Sequence, residues 1–121
     1  MKWIALIGAL VMACPAAAQQ LPRFQKDTPY SQVRAKLIAS GYKVHKIPAA
    51  EFDRCAPGRT ELCDIYPETR ICRGTGRASC EFVLVGPKGA VSITTAGEST
   101  DPGFVSIKFM TDREISQMLA E

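Results

Sequence analysis

The chain has 121 residues, a formal net charge of +3 and a composition ordinary for a globular protein. That length suits one domain with a modest core, and the charge is too small to argue for nucleic acid or an anionic membrane as a partner. Five cysteines in so short a chain raise crosslinking or metal binding as the first chemical question.

Residues 1–18 read as a secretory signal peptide. Lys2 supplies the positive start, residues 3–12 form an uncharged and mostly apolar run, and Ala16-Ala17-Ala18 offers small residues before Gln19. The run is too short for a membrane-spanning helix, and no later stretch is longer, so no transmembrane segment is expected. Val11-Met12-Ala13-Cys14 also resembles, loosely, the lipobox of bacterial lipoproteins. Bulky Met12 and Pro15 fit that pattern poorly, so cleavage near Ala18 is the expected route and lipid anchoring through Cys14 the alternative. Either route leaves four cysteines for pairing.

Residues 19–26 form a polar leader, and a single domain is expected over residues 27–121. Asp27 or Thr28 caps a helix over residues 29–40, with Pro29 at its first position. Tyr30, Val33, Leu37 and Ile38 share its apolar face, and Gly41 ends it in the left-handed region. Residues 42–47 read as a strand stopped by Pro48. Residues 49–79 form a long cysteine-bearing loop with a helical turn around 60–66, a length that needs fastening. Period-two patterns then mark strands at 80–85, 90–96 and 104–110, separated by Gly86-Pro87-Lys88-Gly89 and by a turn containing Asp101-Pro102-Gly103. In the last strand Val105, Ile107 and Phe109 alternate against Ser106 and Lys108. Thr111 and Glu114 form a capping box for a final helix whose Ile115, Met118 and Leu119 face the sheet. The expected class is α+β: an N-terminal helix on an antiparallel sheet of about four strands in two layers, a disulfide-pinned loop and a short C-terminal helix.

Cys55, Cys63, Cys72 and Cys80 are spaced C-x7-C-x8-C-x7-C. In an exported chain an even set reads as two disulfides. Three pairings exist, and the favoured one is sequential, Cys55–Cys63 and Cys72–Cys80, each closing a short Gly-, Pro- and polar-rich loop. Each bridge is worth about 2–3 kcal/mol through restriction of the unfolded chain. A four-cysteine zinc site would call for closer spacing within each pair, and no C-x-x-C suggests a redox pair. No cofactor is expected.

The sequence offers little for catalysis. His45 is the only histidine, and Ser31, Ser40, Ser79, Ser92, Ser99, Ser106 and Ser116 all lie outside a G-x-S-x-G turn. Gly74-Thr75-Gly76-Arg77 sits between cysteines and before a strand, unlike a phosphate loop, which opens a helix. Glu61 and Glu68 share one loop in a chain too small to wall a glycosidase cleft. Arg70, Arg73 and Arg77 follow the last acid of the loop, Glu68. With Tyr66 they are the candidate binding residues, since Arg and Tyr are favoured at interface hot spots.

Two stretches carry a resemblance. Asp27-Thr28-Pro29-Tyr30…Val33-Arg34…Leu37…Gly41-Tyr42 is one, and Cys63…Tyr66-Pro67-Glu68…Cys72…Gly74-Thr75-Gly76…Cys80-Glu81-Phe82 is the other. Together they resemble a group of small exported proteobacterial proteins without an assigned activity, which implies an envelope setting and a shared fold but no catalytic residues. The helix-then-sheet order is also similar to that of beta-lactamase-inhibitor-like and SmpA/OmlA-like envelope domains, which bind proteins. The resulting expectation is a non-catalytic interaction module, periplasmic or secreted, an inhibitor or envelope accessory whose partner is another envelope protein. The alternatives are a lipid-anchored structural protein and a small hydrolase built on His45.

Overall fold

The structure is a computed structural model that describes residues 21–47 and 54–120. The expected signal peptide, Cys14, the start of the leader, Pro48 and the Leu119 side chain lie outside the described residues. The elements are α1 (Tyr30–Ala39), β1 (Lys43–Val44), α2 (Thr60–Ile65), β2 (Thr69–Cys72), β3 (Cys80–Gly86), β4 (Gly89–Ala96), β5 (Gly103–Phe109) and α3 (Asp112–Ala120). They form an α+β fold around one five-stranded sheet, ordered β1-β3-β4-β5, with β2 also paired to β3. All these pairings are antiparallel.

α1 buries Tyr30, Val33 and Leu37 completely, whereas Ile38, expected on the same face, is 41% exposed. Ile38 lies at the rim of the helical stripe, beyond the reach of the sheet. The helix ends in a Schellman motif: Gly41, at φ 97°, donates to Ile38 O at 3.1 Å, and Tyr42 donates to Leu37 O at 3.0 Å. Its start differs from the expectation. Pro29 occupies the cap position, and Thr28 Oγ1 donates backward to Gln25 O. The capping oxygens come instead from Asp101: Ser31 N–H donates to Oδ1 at 2.8 Å and Ser31 Oγ to Oδ2 at 2.6 Å. Tyr30 N–H donates to Pro102 O at 2.9 Å, so the turn before β5 satisfies the helix end.

β3 and β4 pair from Cys80↔Thr95 to Gly86↔Gly89. Gly86 is required there because a Cβ would sit 2.4 Å from the Tyr42 ring. Phe82, Leu84, Val91 and Ile93 point to the α1 side and join Tyr30, Leu37, Leu62 and Tyr66 in the main core. Val83 and Ala90 point the other way and pack with Ile47, Met110, Met118 and part-buried Ile115. α3 therefore closes the opposite face, giving three layers at the centre of the sheet where two were expected. The Thr111–Glu114 capping box forms, with Glu114 N–H on Thr111 Oγ1 at 3.1 Å and Thr111 N–H on Glu114 Oε1 at 3.2 Å. These bonds, with Lys108 beside it, hold the Glu114 carboxyl below its ordinary value.

In β5 the expected alternation fails at one place. The register jumps from Thr94↔Ser106 to Thr95↔Phe104, leaving Val105 as an extra residue. The bulge turns Phe104 into the core in place of Val105, which is 36% exposed.

Candidate functional site

The segment expected as a loop is a braced unit. Residues 54–56 run beside β2, with Ala56 N–H on Cys72 O at 2.9 Å and a parallel bridge between Cys55 and Cys72. Thr69–Cys72 is itself a strand, with its own register on β3. The disulfides are sequential. Cys55–Cys63 ties the 54–56 edge to α2 across a Cα separation of 6.2 Å, and Cys72–Cys80 clamps β2 to β3 across 4.1 Å. With all four sulfurs in disulfides, the thiolate set that zinc would need is gone.

Arg59 adds a third brace. It is 6% exposed, yet it sits under the turn that joins β2 to β3. Its guanidinium donates to Arg73 O at 3.1 Å, Ala78 O at 2.8 Å and Gly97 O at 2.9 Å, and reaches Cys80 Sγ at 3.3 Å. Burying a cation is costly, and charge-assisted bonds to carbonyls offset that cost only when several are made together. The 73–78 turn is thus fixed from below.

The outer surface of this unit carries two adjoining hollows. One, of about 440 Å³, is lined by Ala56, Pro57, Ile71, Cys72, Arg73, Gly74 and Thr75. The other, of about 210 Å³, is lined by Arg70, Ile71, Arg73 and Glu81. Ile71 and Arg73 belong to both, which makes a continuous strip of apolar surface beside a cation.

The four candidate binding residues do not form one patch. Tyr66 is only 8% exposed and lies in the main core, edge-on to Tyr30 at 4.9 Å and to Phe82 at 5.7 Å. Arg70 is paired with Glu81 at 3.2 Å, and Ser92 Oγ donates to the same carboxylate oxygen at 2.8 Å. Arg73 and Arg77 are exposed and meet no carboxylate among the described residues. Arg70 and Arg73 share a hollow, while Arg77 sits on the far side of the turn, its carbonyl accepting from Gly97 N–H at 3.0 Å. Sequence reasoning missed Ile71 and Glu81, whose register partnership across β2 and β3 places them at this surface.

It also missed the most enclosed polar cluster. Glu68 has no exposed surface. Arg34 Nε donates to its Oε2 at 2.8 Å, and the Tyr30 hydroxyl donates to the same oxygen at 3.3 Å. Arg34 also lies over the Tyr66 ring at 5.4 Å, and Tyr30 stacks on Phe82 at 3.8 Å. Burial pushes the Tyr30 phenol far above its ordinary value, and the Glu68 charge pushes the same way. Burial also raises Tyr66, with Asp101 adding to it. Burial alone would lower Arg34, but its hydrogen bond to Glu68 and the Glu68 charge leave it raised. The cluster keeps the Tyr30 phenol protonated and joins α1 to the start of β2.

His45 follows the two-residue β1 and is half-buried. Among the described residues no serine hydroxyl or carboxylate bonds it: Ser31 holds Asp101, Ser40 its own helix, and Ser92 Glu81. No group of three His, Cys, Asp or Glu among the described residues is arranged to hold a metal ion, and no described helix is long and apolar enough to cross a membrane. Comparison with protein-family models, with curated proteins and with solved structures returned no match.

Proposed function

We propose that the chain is an exported, non-catalytic interaction module that uses the braced 54–80 segment to hold an acidic loop of another envelope protein. The observation that carries this reading is the Ile71–Arg73 strip. A cation without a carboxylate partner among the described residues stands over a hollow with an apolar wall, on a backbone fixed by two disulfides and by Arg59. A surface held rigid before binding loses little entropy on association. The partner supplies the missing carboxylate for Arg73 and an apolar side chain for the hollow beside Ile71. The disulfides favour an oxidising compartment, in keeping with residues 1–18 acting as an export signal.

The test is a capture experiment from periplasmic extract with the mature protein and the Arg73→Ala variant. Arg70 is left in place because it is paired with Glu81. A partner held by the wild type and lost by a variant of unchanged melting temperature supports the reading. Retention of every partner by the variant overturns it.

A further inference from the structure

β5 is the outer strand of the sheet, and only part of its free edge is used. At Phe104 the edge is taken. Its N–H donates to Thr28 O at 2.8 Å, and its carbonyl accepts from Asp27 N–H at 2.9 Å. Beyond the bulge, Met110 N–H donates inward to Ala90 O at 2.9 Å. Alternation along an antiparallel strand then turns Lys108 toward β4 and turns the N–H and C=O groups of Ile107 and Phe109 outward. Among the described residues no main-chain group meets those outward groups.

The leader would cover them if it ran straight on past Asp27. It does not. Asp27 has φ 68°, and both Thr28 N–H and Thr28 Oγ1 return to Gln25 O, at 3.1 and 2.7 Å. That turn lifts the chain off the edge, and Phe24 comes to rest 5.3 Å from the Phe104 ring. A groove of about 590 Å³ is left between leader and strand, with Leu21, Phe24, Phe104, Ile107 and Phe109 in its wall and Arg23 as its one charged member among the described residues. Arg23 is exposed and has no ion pair among the described residues.

We propose that this edge is a strand-addition site, taking an extended peptide of a partner protein that is apolar at alternate positions and carries one carboxylate. Outward donor–acceptor pairs on alternate residues stand about 7 Å apart, the repeat of an extended chain and of no other backbone form. The groove takes the side chains of one face, and Arg23 takes the carboxylate. The pairing continues the one already made at Phe104 by Asp27 and Thr28. A second copy of the chain fits less well, because the Asp27–Pro29 segment on each copy shortens the stretch that two β5 edges can share. This surface is separate from the Ile71–Arg73 strip, so either proposal stands without the other.

The probe is a pool of peptides of about eight residues, alternating Val, Leu or Phe with Ser or Thr and ending in Glu, added to the mature protein while amide hydrogen exchange is followed by NMR. Exchange at Ile107 and Phe109 is expected to slow about tenfold or more, with Lys108 unchanged. The same pool N-methylated at alternate residues is expected to have no effect, and Arg23→Ala to weaken binding about threefold. No slowing at those two amides overturns the proposal. So does equal slowing by the N-methylated pool, or protection of the same edge by dimerisation, seen by sedimentation without peptide.

Discussion

Arg34 Nε stands 2.8 Å from Oε2 of Glu68, a carboxylate with no exposed surface, so a charge on α1 neutralises one buried at the threshold of β2. Removing only the cation leaves an uncompensated charge in the core. Arg34→Met is expected to cost about 3 kcal/mol in urea denaturation, and Arg34→Met/Glu68→Met to cost less than that single change. A double variant as damaged as the sum of its parts would show that the two residues act independently.

Asp101 caps α1 from a turn far along the chain. Asp101→Ala is expected to lower stability by about 1 kcal/mol, the size of an N-cap effect. Ser31→Ala leaves the backbone N–H bond to Asp101 and is expected to cost less. The check is thermal unfolding of both variants, with helix content followed by circular dichroism.

Arg59 reaches two carbonyls of the braced segment, those of Arg73 and Ala78, and a third beyond it at Gly97. Arg59→Met keeps its bulk and strands those acceptors, at an expected cost of about 3 kcal/mol. The Cys72→Ala/Cys80→Ala pair is expected to cost about 2–3 kcal/mol through the unfolded chain alone. Amide exchange separates the two: Arg59→Met is expected to loosen the 73–78 turn, whereas loss of the bridge loosens the β2–β3 end.

Tyr30 makes the fold sensitive to alkali. Its folded value lies above the ordinary tyrosine value near 10, so the unfolded chain loses the phenolic proton first. The contribution is complete below about pH 10 and falls as pH rises beyond it. Tyr30→Phe keeps the stack on Phe82 and loses the bond to Glu68. It is expected to be less stable at pH 7 and to show a flatter decline in melting temperature above pH 10.

The elements that local chemistry dictates were legible. Gly41 ends α1, Gly86 to Gly89 turn β3 into β4, and Thr111 with Glu114 starts α3, each through a rule that acts within a few residues. The sequential disulfides were legible for the same reason, since each closes a short loop. What escaped depends on distant partners. Tyr66 sits in a polar, arginine-rich stretch and reads as surface, yet Tyr30 and Phe82 draw it into the core. The Val105 bulge shows in no periodicity, because it is set by what Thr94 and Thr95 face on the neighbouring strand. β2 has four residues and no apolar alternation, and becomes a strand only because β3 and the 54–56 edge flank it. Glu68 and Arg59 looked like ordinary loop charges, and their burial follows from the packing of α1 and of the β2–β3 turn.

The contact between Ser31 and Asp101 also bears on when the domain can close. The first helix takes its missing acceptors from the turn before the last strand, and that strand is covered at Phe104 by the residues just ahead of the helix. Beginning and end complete each other. A chain emerging from its amino terminus therefore has an unfinished α1 until Asp101 and Pro102 have followed it.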